Sequence, residues 1–298
     1  MIIQIRIEKH IYSYLQEIYN TVTLLNNQDL RKKQITTDMK VLTEEVHKVA
    51  QNKKIEIDTL KIKEEYRREF IGNVAHELKT PLFTTQGFLE TIIDNDITDP
   101  KLVKKYLERA TNGVERLIKI VSDLDMITKL ESTELKIEKE TFDIVDLVKE
   151  IFQMLEQKAE KNDITLMLDK EHYRKINVFA DKEKIYQVLV NLISNSIKYG
   201  RERGITEVSI EELTDKKYIV RITDNGMGIE KKHLNRIFER FYRIDDHRSR
   251  KIGGSGLGLS IVKHIIEAHD NHIYVDSELN VGSEFSFTID KAIENTIL

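Results

Sequence analysis

The sequence predicts a multidomain chain in which an all-α helical hairpin pairs with a second copy as a four-helix bundle and an α+β sandwich follows. Three observations carry this reading. Apolar side chains, with Thr85 the one polar member, step by threes and fours from Ile71 to Leu124, with one interruption near Asp99-Pro100. Beyond about residue 133 that pattern gives way to short alternating runs among amphipathic helices. A length of 298 residues also exceeds what one compact unit usually holds.

The hairpin is the clearest element. Ile71, Val74, Leu78, Leu82, Thr85, Leu89 and Ile92 line one stripe; Val103, Leu107, Ala110, Val114, Leu117, Val121 and Leu124 line another. Both are heptad seams, and a single hairpin leaves its seam uncovered, so a homodimer is expected. Asp99 is placed to cap the second helix, and Pro100 sits at its first position, where a missing N–H costs nothing.

Residues 1–65 read as polar helix without Gly or Pro. Stretches 7–25 and 39–50 flank a charged connector, Asn26-Asn27-Gln28-Asp29, and a charged helix follows over 53–69. A signal-transmitting module and a plain dimerisation stalk both fit. No apolar run reaches the roughly 18 residues of a membrane helix. The opening Met1–Ile7 segment carries Arg6 and fits either the tail of a membrane helix or an ordinary amphipathic start.

In the second half, a helix opens at Phe142-Asp143 and runs to about Lys161. Strands are expected at 164–168, 178–180, 207–212, 218–223, 273–277 and 284–289. Helices are expected from Asp181 to Tyr199 and over 257–269. A net charge of −4 gives no bulk field for nucleic acid. The absence of cysteine excludes disulfides and thiolate metal sites and fits a reducing compartment.

His76 lies two residues from both Val74 and Leu78, so it points about 200° from each, away from the seam. A lone histidine there is an ordinary solvated side chain. Its neighbours change that. Glu77 is a carboxylate able to hold the ring tautomer, Thr80 shares the face one turn on, and Pro81 removes a backbone hydrogen bond nearby. The run Phe70-Ile71-Gly72-Asn73-Val74-Ala75-His76-Glu77-Leu78-Lys79-Thr80-Pro81-Leu82 resembles the phosphoacceptor box of sensor histidine kinases. The resemblance implies that His76 is autophosphorylated, that Glu77 polarises it, and that Thr80 positions water when a partner is dephosphorylated.

Four further segments point to a nucleotide. Asn191 and Asn195, four apart on one helix, turn two amide oxygens the same way, as Mg²⁺ ligation would need; Lys198 adds a phosphate-binding charge and Tyr199 a ring for a base. Asp224-Asn225-Gly226-Met227-Gly228 puts an acceptor for an exocyclic amine beside two permissive glycines, although a simple turn reads the same way. In Ile237–Arg243, Arg243 is placed to neutralise a transferring phosphoryl group. Gly253-Gly254-Ser255-Gly256-Leu257-Gly258 runs straight into a helix start, where free N–H groups attract phosphate. That run is not a Walker motif, because no Gly-Lys-Ser/Thr follows.

In order and spacing these segments resemble the N, G and F boxes and second glycine box of the same kinases, whose ATPase domain is of the GHKL (Bergerat) type. The resemblance spans about residues 66–290. It implies ATP and Mg²⁺ as cofactors, with Asn191 and Asn195 at the metal. Lys198 and Arg243 would meet phosphates, Tyr199 and Asp224 the adenine, and Gly226, Gly228, Gly254, Gly256, Leu257 and Gly258 would form the cradle. Residues 244–255 would be a lid with basic members Arg248, Arg250 and Lys251.

The organisation expected is a HAMP-like or coiled-coil segment over 1–65, a dimerisation and phosphotransfer hairpin over 66–132, and an ATP-binding domain over 133–298. The partners expected are a second copy and a separate response regulator's receiver domain, with no nucleic acid. The resemblance further implies the cytoplasmic portion of a bacterial inner-membrane sensor, anchored through an N-terminal part lying outside this sequence, and the chain shows a general similarity to phosphate-regulon-type sensor kinases. An ATP-driven conformational machine and a non-catalytic dimer module are the rivals.

Overall fold

The computed structural model describes residues 39–94, 97–131, 136–169, 175–244 and 254–292. The expected stretch 7–25, its connector, and the lid residues Arg248, Arg250 and Lys251 lie outside these. The chain divides into two compact units after Gly72.

Helix α1 (Met39–Asp94) is continuous, and it joins the stretches 39–50 and 53–69 that the sequence reads separately. Gln51 and Asn52 between them are only weak helix breakers, with neither Gly nor Pro to end the run. The helix also continues through Pro81, which is buried. In the first unit α1 is held by surface pairs such as Lys53–Glu56 at 2.7 Å and Glu64–Arg68 at 3.9 Å, and it leaves Ile55, Leu60 and Ile62 exposed. Such pairs contribute only a few tenths of a kcal/mol each, about 0.3–0.5. No helix among the described residues is long and apolar enough to cross a membrane.

In the second unit, α1 turns back through Asp99 into α2 (Pro100–Glu131). Asp99 caps as expected: its Oδ1 accepts from Lys101 N at 3.0 Å and its carbonyl from Val103 N at 3.0 Å. The helices meet at small residues. A Cβ at Gly113 would collide with the Thr85 hydroxyl, which itself donates to the Ala110 carbonyl at 3.4 Å. Phe88 stacks on Tyr106 at 5.7 Å, with the Arg109 guanidinium 5.4 Å from the Phe88 ring centre.

Within one copy, part of the seam is left open to solvent, while Thr85 and Ala110 are buried. Leu82, Leu89, Leu107 and Val114 are exposed, and Val121 is 56 % exposed. A shallow groove of about 450 Å³ beside Val103, Leu107 and Thr111 belongs to this same face. Beyond Ala110, the stripe that α2 buries is a different one, Ile120, Asp123 and Ile127, on the part of the chain that packs toward α6 (Gly258–Ala268) of the following domain. The heptad pattern conceals it because the second stripe is short and contains an aspartate.

The C-terminal domain is a two-layer α+β sandwich. Its main sheet runs β2 (Ile164–Leu168), β4 (Gly204–Thr214), β5 (Lys217–Asp224), β7 (Gly282–Asp290), β6 (Ile273–Glu278), with β2–β4 parallel and the other pairs antiparallel. In a small antiparallel pair, β1 (Glu140–Asp143) leads into α3 (Ile144–Lys161) and β3 (Asn177–Ala180) into α4 (Lys182–Tyr199), and a one-turn helix α5 (Lys231–Leu234) follows β5. The sequence reading lacks β1, four residues whose only apolar side chain facing inward is Phe142.

Register fixes the two faces. The rows Val208–Ile222–Phe285 and Ile210–Val220–Phe287 point to the helices, whereas the opposite face carries Arg221 between Glu284 (2.7 Å) and Glu211 (3.4 Å). Helix α4 is the spine of the inner layer. It buries Ile185, Val188, Leu189, Leu192, Ile193 and Ile197, each worth about 1.5–3 kcal/mol. Its N-cap Asp181 accepts from Lys184 N at 3.1 Å and from Glu138 N at 3.2 Å, and donates its own N–H to His269 Nε2 at 3.1 Å.

Candidate active site

Because one side of α4 is committed to the core, Asn191, Asn195, Lys198 and Tyr199 are left at its margin, each half-buried. The other segments close on this margin. A Cβ built at Gly258 would stand 3.5 Å from Asn191 Oδ1, and one at Gly254 only 2.6 Å from Lys198 Nζ, so the glycine loop lies directly over both side chains. Gly254 and Gly256 have φ of +130° and +72°, conformations that suit glycine, and a Cβ at Gly256 would meet the Phe241 backbone at 2.8 Å. Leu257 is fully buried and leads into α6 (Gly258–Ala268), whose first turn has no side-chain cap; the Ser255 hydroxyl accepts from Leu257 N at 3.3 Å.

At the far end, Met227 N donates to the Tyr199 carbonyl at 3.2 Å, which brings the Asp224 loop against the end of α4. Asp224 Oδ1 accepts from Gly226 N at 2.8 Å. Gly226 is tight, since a Cβ would stand 2.5 Å from the Tyr199 carbonyl oxygen; at Gly228, with φ of +68°, it would collide with the Glu278 carbonyl oxygen. Burial pushes the Asp224 carboxyl up from its ordinary value, opposed by the N–H groups of Gly226 and Ser283.

The electrostatics converge on Lys198. Burial first, then the cations Arg243, Lys119 and Arg116, push its ammonium down to about 8. Its Nζ donates to the Tyr199 hydroxyl at 3.0 Å, and burial raises that phenol despite Arg243. Lys158 of α3 is pushed down by burial and then by Lys119 and Lys198. Cations from α2, α3, α4 and the segment before the glycine loop thus surround one space. Asn191 Nδ2 is buried there without a hydrogen-bond partner.

His76 is exposed on α1, as its angle predicts. Thr80 donates its hydroxyl to the His76 carbonyl at 3.3 Å. The Glu77 carboxylate accepts from Arg116 Nη2 at 3.0 Å, with Arg243 Nη1 at 3.8 Å from its other oxygen. Successive helix residues lie about 100° apart, so Glu77 faces α2 while His76 faces out. Arg116, Lys119 and Asp123 are polar members of one helix that no sequence motif marks, and Ser255 stands in the glycine run, where the sequence assigns it no role of its own.

Residues 66–133 match the family model of the His Kinase A (phospho-acceptor) domain, and residues 180–293 that of the histidine kinase-, DNA gyrase B-, and HSP90-like ATPase. The solved histidine kinase AdeS of Acinetobacter baumannii is 30 % identical; the match covers 74 % of this chain and 98 % of that one, with a TM-score of 0.56. The chain belongs to the sensor histidine kinases. Among curated members of the family, WalK of Bacillus subtilis (strain 168) is 36 % identical over 226 residues, which are 75 % of this chain and 36 % of WalK. A WalK of Staphylococcus aureus is 35 % identical over 229 residues, 76 % of this chain and 54 % of that protein. The chain thus spans between about a third and half the length of these curated histidine kinases. The histidine kinase ThkA, solved in complex with the response regulator TrrA, is 28 % identical with a TM-score of 0.60 over 76 % of this chain and 62 % of that one. None of these names supports the phosphate-regulon subgroup.

Proposed function

We propose that this chain transfers the γ-phosphoryl group of ATP to His76 and passes it on to an aspartate of a separate response regulator. The observation that carries the reading is the closure of three separated segments on the margin of α4, with Arg243 reaching from that side to Glu77, the residue after His76. In this reading Asp224 reads the adenine amine, Tyr199 lies near the base, and Gly226 and Gly228 let backbone approach it. Lys198, Arg243 and the loop Gly254–Gly256–Leu257–Gly258 hold the phosphates.

Among the described residues, no group of three His, Cys, Asp or Glu side chains is placed to hold a metal ion. Asn191 and Asn195 offer two amide oxygens, too few for an ion held by protein alone but suited to Mg²⁺ that keeps waters and arrives with the triphosphate. When bound, the ion would neutralise charge on the phosphate oxygens.

The chemical step is an in-line displacement. A ring nitrogen of neutral His76 bonds to the γ-phosphorus, the bond to the bridging oxygen breaks, and ADP leaves with that oxygen's electron pair. Arg116 holds one oxygen of Glu77 and leaves the other to orient the ring N–H once Arg243 turns to phosphate. Thr80, beside His76, suits positioning a water for dephosphorylation of the regulator, so Thr80→Ala should keep autophosphorylation and lose most of that phosphatase activity. The exposed seams of α1 and α2 support a homodimer. The chain is, in this reading, the cytoplasmic portion of a longer membrane-anchored sensor.

Incubation with Mg²⁺ and γ-labelled ATP tests the proposal. Label that is acid-labile, alkali-stable and transferable to a receiver domain is the expected result. ATP turnover with no protein-bound label would favour a conformational ATPase and overturn it.

A further inference from the structure

We infer that the catalytic domain serves the phosphoacceptor helix of its own chain, so that His76 is phosphorylated in cis. The inference rests on the kinase reading above and adds to it which of the two histidines of a dimer is the substrate.

Two contacts carry it, and both join residues of one chain. Arg243, from the segment before the glycine loop, has its Nη1 3.8 Å from Glu77 Oε1, one residue beyond His76. Ser255, within the glycine loop, donates its hydroxyl to Asp123 Oδ2 on α2 at 3.2 Å. These contacts lie on the two helices of the same hairpin, so the domain bridges both helices of its own chain rather than touching one in passing. Asp123 is 7 % exposed, and the neighbouring α2 residues Ile120 and Ile127 are buried against the domain's side of the helix. Arg116 completes the bridge by holding the other oxygen of Glu77 at 3.0 Å.

The connection is long enough to allow this. Eight residues, 132–139, separate the end of α2 from β1, and a chain of that length reaches at most about 28 Å when fully extended. Arg116 stands 15 residues before Glu131, about 22 Å along the helix axis. The tether lets the domain fold back alongside its own α2 to the level of Arg116 and Glu77, where the structure has it. The guanidinium that would meet the phosphates is thereby brought beside the acceptor of the same chain.

The decisive experiment uses a tandem-purified heterodimer of the wild-type chain and a differently tagged His76→Gln/Asn195→Ala chain. Cis transfer predicts that the wild-type chain is labelled from ATP at about its rate in the wild-type homodimer. Loss of more than about nine-tenths of that label, with the wild-type homodimer still active, would overturn the inference in favour of trans transfer. An unlabelled wild-type homodimer would instead remove the kinase reading itself. A second measurement needs no activity, because the natural chain has no cysteine. Asp123→Cys/Ser255→Cys on one chain, treated with a short bismaleimide, should give an internally crosslinked monomer. A heterodimer carrying one of these cysteines on each chain should give no interchain product, and a dominant interchain product contradicts the inference.

Discussion

Charge around single side chains governs how this site meets a polyanion. Lys198 is buried and also crowded by Arg243, Lys119 and Arg116, which together push its ammonium down from the ordinary 10.5 to about 8. Bound phosphate favours the charged form, so binding takes up a proton above that pH. Affinity for ATP should therefore fall as pH rises through about 8, by at most tenfold per pH unit. Titration calorimetry between pH 7 and 9.5 checks this, and Lys198→Arg, which keeps its charge, should flatten the profile. A flat wild-type profile would exclude Lys198 from the phosphates. Gly228 is a second residue-level case. Its φ of +68° and the Glu278 carbonyl beside it leave no room for a side chain. Gly228→Ala should cost about 2 kcal/mol or more, lowering the melting temperature by roughly 4–8 °C.

Helix α4 and its caps set the behaviour of the elements. His269 closes the end of α6 against the start of α4: its Nε2 accepts from Asp181 N at 3.1 Å, and its Nδ1 donates to the Ile265 carbonyl at 2.8 Å. A ring that must accept at Nε2 is neutral, and burial holds its pKa below the ordinary histidine value, the Ile265 carbonyl pulling the other way. The unfolded chain thus binds more protons just below pH 6.5, and this contribution to stability is present above that pH and is lost as pH falls toward the folded pKa. Thermal melts should show a lower melting temperature at pH 5.5 than at pH 7.5, with a smaller difference in His269→Gln. Asp123 and Asp224, whose carboxyls are raised by burial, act in the opposite sense, so the comparison with the variant carries the test.

Much of this element-level order is legible in the sequence. Helix α4 and its Asp181 cap, the hairpin turn at Asp99-Pro100, and the alternating strands β4 and β5 follow from local patterns that burial then reinforces. What is not legible is long-range. Strand β1 exists only because β3 pairs with it, and the stripe Ile120–Asp123–Ile127 is meaningful only once α6 lies against it. The same holds in the site. Asn191, Lys198 and the glycines can be picked out by spacing, whereas Arg116 and Asp123 acquire a role from Glu77 and Ser255, which are 39 and 132 residues away.

For the whole molecule, assembly and chemistry should separate. The exposed seam residue Val121 lies two residues before Asp123, about 200° round the helix from the Asp123 contact with the glycine loop, so Val121→Glu should shift sedimentation from dimer toward monomer while leaving ATP affinity within about twofold. Co-loss of nucleotide binding would mean that the seam and the catalytic domain share that face. The central claim concerns His76, and locating the phosphoryl group tests it most directly. After reaction with ATP, peptide mapping at neutral to alkaline pH should place one phosphoryl group on the His76 peptide, and His76→Gln should carry none. Phosphate on any other residue, or undiminished label in His76→Gln, would contradict the account.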